Sequence, residues 1–182
     1  MSAIRRNWMW LVAVLAVAAV VHIASVIALP RLIMWRTMSA IAHRTGLNKM
    51  AHAPRPTSAS RGIVRPSPDL LYSTCVFAVG AGPVRVHASG MPDTYWSVSL
   101  FDAATDNFFV INDRQAKNGS VDFVIVGPRQ DKLPAGQIVR APSDRGLVLF
   151  RTLIDDDKRL ADIDRARRGA ACEAFVAAKP NL

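Results

Sequence analysis

The chain has 182 residues, about half of them hydrophobic, with 23 Lys/Arg against 14 Asp/Glu and a formal net charge of +9. That charge sits wholly in the first 68 residues: nine Lys/Arg precede the first acid, Asp69, and fourteen of each sign follow. A nucleic-acid binder needs cations on its folded surface, so the high pI does not indicate one, and no nucleic-acid partner is expected. The balanced remainder is long enough to bury one core.

Residues Trp8 to Leu29 form a 22-residue stretch without charge. As a helix it spans roughly 33 Å at ~1.5 Å per residue, enough for a hydrocarbon core of about 30 Å. Trp8 and Trp10 suit an interface at one end, and Pro30 and Arg31 close the other. A cleaved signal sequence has a shorter apolar core, of about 7–15 residues, so residues 1–30 are expected to be an uncleaved single-pass anchor in the lipid bilayer. Arg5 and Arg6 favour a cytoplasmic N-terminus, whereas Arg31, Arg36, Arg44 and Lys49 argue the other way. Leading charges and the ease with which long domains translocate place the domain outside the cytoplasm. His22, alone among ionisable groups in the span, reads as a neutral imidazole.

Residues 31–61 read as a basic juxtamembrane helix and a linker. Ile33, Met34, Met38, Ile41 and Ala42 recur at helical spacing among polar residues, the pattern of an interfacial helix lying on anionic lipid. The competing reading continues the span into water. Gly46 is a stop signal, and Ala51 to Arg61 has no hydrophobic period.

From residue 62 to the end the pattern is that of one globular domain. Short apolar runs, Leu70–Val79, Val84–Val86, Tyr95–Asp102, Phe108–Ile111, Val121–Val126, Gln137–Arg140 and Gly146–Leu153, are separated by turn residues. In Tyr95–Asp102 the alternation is strict: Trp96, Val98 and Leu100 share one face, Ser97 and Ser99 the other. Frequent strands with no helix between them predict a mainly β fold, an antiparallel β-sandwich or jelly-roll-like domain. Asp155-Asp156-Asp157 caps a C-terminal helix whose apolar residues run from Leu160 to Phe175 and include Cys172.

Four segments carry a family resemblance: Arg65-Pro66-Ser67-Pro68-Asp69-Leu70-Leu71-Tyr72-Ser73; Gly82-Pro83-Val84-Arg85-Val86; Tyr95-Trp96-Ser97-Val98-Ser99-Leu100-Phe101-Asp102 with Asp106-Asn107-Phe108; and Phe123-Val124-Ile125-Val126-Gly127-Pro128. With Arg151-Thr152-Leu153-Ile154-Asp155, they make the run from Ile63 to Arg167 resemble the domain-of-unknown-function family 1254. The resemblance implies a β-sandwich module, mainly bacterial and often exported. It also implies company with a sister family, domain of unknown function 1214, which here would be a separate partner protein. It brings no reaction and no catalytic residue.

The chemistry-bearing residues are few. Asp69, Tyr72, Tyr95, Asp102 and Arg114 fall in or beside the signature segments and are the candidates for a ligand mouth. Asp102, Asp106, Asn107, Asn112 and Asp113 cluster at one hairpin, but their spacing is that of turn formers rather than of a calcium loop. No metal, cofactor or catalytic residue is assigned. Cys75 and Cys172 can pair outside the cytoplasm or stay as buried thiols. Two functions compete: a membrane-anchored envelope binding or accessory module of unknown ligand, and an enzyme acting on a small polar or carbohydrate-like substrate in the mouth of the sandwich.

Overall fold

A computed structural model describes residues 2–61, 65–116, 118–131 and 134–176, with no side-chain description before Asn7. The outer limits expected for the domain, 62–64 and 177–182, lie outside the described residues.

Period-two alternation and turn chemistry set the strands. They are β1 (Ala51–His52), β2 (Leu70–Ala78), β3 (Val84–Ala88), β4 (Trp96–Phe101), β5 (Asn107–Asn112), β6 (Val121–Val126), β7 (Ile138–Arg140), β8 (Arg145–Leu153) and β9 (Ala171–Ala174). One sheet has the order β1-β2-β8-β4-β5, the other β7-β6-β3-β9. Every pairing is antiparallel except β6 with β7, which is parallel. The two inner faces close one core: Cys75, Phe77, Val98, Leu100, Val148 and Phe150 from the first sheet meet Val84, Val86, Phe123, Ile125 and Cys172 from the second. Phe109 of β5 touches Phe123 of β6, ring centroids 5.1 Å apart. Gly146 is required on β8, because a Cβ there would lie 2.2 Å from the Phe101 carbonyl oxygen and 2.4 Å from the Phe77 ring.

Two expectations are corrected. The helix α2 covers only Leu160–Arg167, after a 3-10 turn capped by Asp156. The chain breaks at Gly169, and residues 171–174 form β9 on the edge of the second sheet. Cys172 is therefore in a strand, opposite Val86, where alternation turns it into the core. There it is bonded to Cys75 of β2, with Cα atoms 6.4 Å apart, so the disulfide joins the two sheets through the core.

The second correction concerns residues 31–61. Helix α1 is continuous from Ser2 to Thr45, with Pro30 inside it. No separate interfacial helix follows the apolar stretch. Met34, Met38 and Ile41 instead pack on Val76, Phe101 and Leu147, on the outer face of the first sheet. Gly46, at φ +87°, ends the helix and donates to the Ala42 carbonyl at 2.8 Å. Beyond it, Asn48 holds both backbone groups of Ala78 through its amide, and Ala51–His52 adds an edge strand to β2. The start of the expected linker is thus part of the sheet.

Candidate functional site

The outer face of the first sheet is organised in rungs. Register places Tyr72, Arg151, Ser97 and Asn112 side by side across β2, β8, β4 and β5. The next outer rung is Thr74, Leu149, Ser99 and Val110, and the third is Val76, Leu147, Phe101 and Asn107. Helix α1 covers the third rung. The first rung lies about 13 Å away, four residues at ~3.3 Å each, at what is called here the far end.

Four of the five expected ligand residues flank that far end. The Tyr72 hydroxyl accepts from the Ser67 amide at 3.0 Å. Asp69 is exposed and its carbonyl accepts from Ile154. Tyr95 is 43% exposed and its carbonyl accepts from Leu153. Arg114 is exposed in the turn after β5, its amide held by the Asn112 side chain at 3.1 Å. Asp102 is not with them. It closes β4 at the opposite end, roughly 20 Å from Tyr95 along the strand. Its Oδ1 accepts from the amides of Ala104 and Asp106 at 2.7 and 2.9 Å, which is the chemistry of a turn cap. Among the described residues, no three His, Cys, Asp or Glu side chains gather as metal ligands.

The residues that make the far end unusual are ones that sequence reasoning passed over. Among the described residues, the buried side-chain polar atoms without a hydrogen-bond partner are Ser97 Oγ, Asp113 Oδ1, Arg151 Nε and Thr152 Oγ1. Ser97 and Arg151 belong to the Tyr72–Arg151–Ser97–Asn112 rung, whereas Asp113 and Thr152 are the residues after Asn112 and Arg151, and alternation turns Thr152, opposite Trp96, to the core side. Ser97 is 1% exposed although it lies on the outer face. Arg151 reaches Ser99 Oγ through Nη2 at 3.3 Å and has no acidic partner among the described residues. Buried orphans of this kind ordinarily find water or a ligand. An arginine fork beside serine hydroxyls and an asparagine offers donors to a carboxylate or another oxygen-rich group. Arg151 stood inside a signature segment, but its cross-strand neighbours are 54 to 79 residues away in sequence.

A second cluster is fully satisfied. The Arg167 side chain, 1% exposed, donates to Asp164 Oδ1 at 2.7 Å, the Tyr72 carbonyl at 2.8 Å, Ser73 Oγ at 3.0 Å and the Ala53 carbonyl at 2.6 Å. It ties α2, β2 and the chain just after β1 together. Its sequence signal was an arginine four residues after Ile163, on the apolar stripe of α2. His52 shares Ser73 with it, Nδ1 to Oγ 2.9 Å. Burial, then the charges of Arg167 and Arg168, push the His52 imidazole below its ordinary value, against a smaller opposing pull from Asp164.

These features define a two-sheet β-sandwich with an N-terminal helix long and apolar enough to cross a membrane. The chain belongs to the family described as protein of unknown function DUF1254, whose model matches residues 47–174. Among solved structures it is similar to the VPA0106 protein from Vibrio parahaemolyticus: TM-score 0.58, 16% identity, covering 84% of this chain and 40% of that one. An uncharacterized protein from Burkholderia cenocepacia gives a TM-score of 0.47 at 15% identity, over 70% of this chain and 34% of that one. The chain thus spans about two fifths of the Vibrio protein, and the likeness speaks to the fold alone. No curated protein matches the chain.

Proposed function

We propose that this chain is a membrane-tethered binding or accessory module of the bacterial cell envelope. In this reading residues 8–29 cross the inner membrane once, the sandwich stands on the periplasmic side, and the far end of the first sheet meets a partner. The orphaned buried Ser97 Oγ and Arg151 Nε, side by side on one outer rung, carry the reading. The Cys75–Cys172 bond supports an oxidising compartment, and Arg5 and Arg6 before the span support a cytoplasmic N-terminus. The family resemblance suggests a protein of family 1214 as partner.

The enzyme alternative needs Asp69, Asp102 or Arg114 to converge with Tyr72 or Tyr95. With Asp102 capping a turn at the opposite end, that role falls to the exposed Asp69 and Arg114, and a binding surface accounts for more of the rung.

The test is affinity capture from a detergent extract with the full-length chain, its Arg151→Glu variant and an Arg165→Glu control on the exposed side of α2. A specific partner retained by the native chain and the control, and lost with Arg151→Glu, is expected. Capture indifferent to Arg151 would sink the reading. Protease accessibility in spheroplasts and inverted vesicles checks the side of the membrane separately.

A further inference from the structure

The place where α1 leaves the apolar stretch is walled on both sides. A cavity of about 470 Å³ lies between Arg31, Trp35 and Met38 of α1 and two loops of the sandwich, Asp102–Ala104 and Pro142–Arg145. We propose that this cavity is a headgroup site for an anionic phospholipid, its phosphate held between Arg31 and Arg145. The inference rests on the membrane-tethered reading above.

Position is the first argument. Arg31 stands two residues past Leu29, where a helix entering lipid at Trp8 has spent its ~33 Å of apolar length. Its Nη1 folds back one turn onto the Ile27 carbonyl at 2.7 Å, and its other N–H groups have no partner among the described residues. Trp35, one turn on and 61% exposed, brings an indole to the depth where indoles favour the interface.

Charge is the second. The Arg145 side chain has no hydrogen bond or ion pair among the described residues, and neither does that of Arg36 on α1. The carboxylate lining the cavity, Asp102, is engaged by two backbone amides. Two guanidinium groups against one occupied carboxylate leave the site net positive. Arginine forks match phosphate oxygens.

The walls are also fixed before any ligand arrives. Ser143 Oγ accepts from the Ala103 amide at 3.0 Å and donates to the Arg145 carbonyl at 2.7 Å, locking one loop to the other. On the opposite side, Met34 and Met38 seat α1 on Val76. The remaining lining is apolar: Met38, Ala103, Ala104 and Pro142. A free phosphate gains nothing from such a wall or from the indole, whereas the glycerol and upper acyl carbons of a lipid do. A choline headgroup would bring its own cation against two arginines.

The experiment places the full-length chain in nanodiscs of phosphatidylcholine with and without phosphatidylglycerol and reads the lipid retained by native mass spectrometry. A preference for phosphatidylglycerol is expected. Arg145→Gln or Arg31→Gln should each cut it about fivefold, the scale of one arginine near an anionic surface. Arg165→Gln, equally cationic but on α2, should leave it unchanged. Failure to enter nanodiscs would overturn the tethered reading and this site with it. Entry without a preference, or an equal loss from Arg165→Gln, overturns the headgroup site alone. Thermal stabilisation in detergent by inorganic phosphate, matching that by phosphatidylglycerol, would make it a free-anion site and also overturn the proposal.

Discussion

The two halves of α1 share one backbone and meet different surroundings. From Trp8 to Leu29 the large apolar side chains are all exposed. After Pro30 the same helix buries Met34 and Met38 on the outer face of the first sheet. Both hydrophobicity and patterning separate the halves. The first half is apolar all round, which no single protein face can cover, and such a helix needs lipid or a larger assembly. In the second half Arg36, Ser39, His43 and Arg44 interrupt the apolar residues, and one sheet face covers the stripe of Met34, Met38 and Ile41 while Leu32, Ile33 and Trp35 stay exposed.

The comparison is broken most severely at its anchor in the sandwich. Arg167 holds the Ala53 carbonyl, just after the strand that follows α1, to β2 and α2. Arg167→Ala takes one donor each from the Tyr72 carbonyl, the Ala53 carbonyl and Ser73 Oγ, and leaves Asp164 with Arg168 alone. A loss of about 3 kcal/mol in thermal unfolding of the full-length protein is expected, from lost charge-assisted hydrogen bonds and the space left by a buried side chain. A smaller effect separates the halves directly. Met38→Ala opens a gap over Val76 and should cost about 2 kcal/mol, whereas Val20→Ala in the exposed half should change the unfolding of the sandwich by less than about 0.5 kcal/mol. Equal effects would mean that the docked half is not docked.

The smallest expected effect is a pH slope. His52 is depressed in the folded chain, first by burial and then by Arg167 and Arg168. The unfolded chain therefore binds more protons once the pH falls through the usual imidazole value of 6.5. Stability is full above that value and declines as the pH drops towards the folded one. Thermal unfolding followed from about pH 7 to about pH 5 should show a fall that His52→Asn flattens; an unchanged slope would remove His52 as its source.

Much of the sandwich was legible in the chain. Strict alternation in residues 95–102 put Trp96, Val98 and Leu100 into the core and Ser97 and Ser99 on the other face, as the structure has them. Turn residues marked most strand ends to within a residue or two. The C-terminal segment was misread because Ala170, Ala171, Ala174 and Phe175 fit a helical stripe as well as an edge strand, and the arbiter, pairing with β3, lies more than 80 residues away. The candidate site was legible in part. Tyr72, Tyr95 and Asp69 came from the family-like segments and Arg114 from beside them, but a segment cannot say at which end of a sheet its residues finish, and Asp102 finished at the other.

Composition and local order by themselves determined the apolar stretch, the neutrality of all that follows residue 68 and the division into strands, because each depends on neighbours within a few positions. The folded arrangement alone decided that Cys75 meets Cys172, that the stripe of α1 lies on Val76 and Leu147, and that Arg151 stands between Tyr72 and Ser97. Those contacts depend on register between distant strands, and register is set by the packing of whole faces, which no short window of sequence contains.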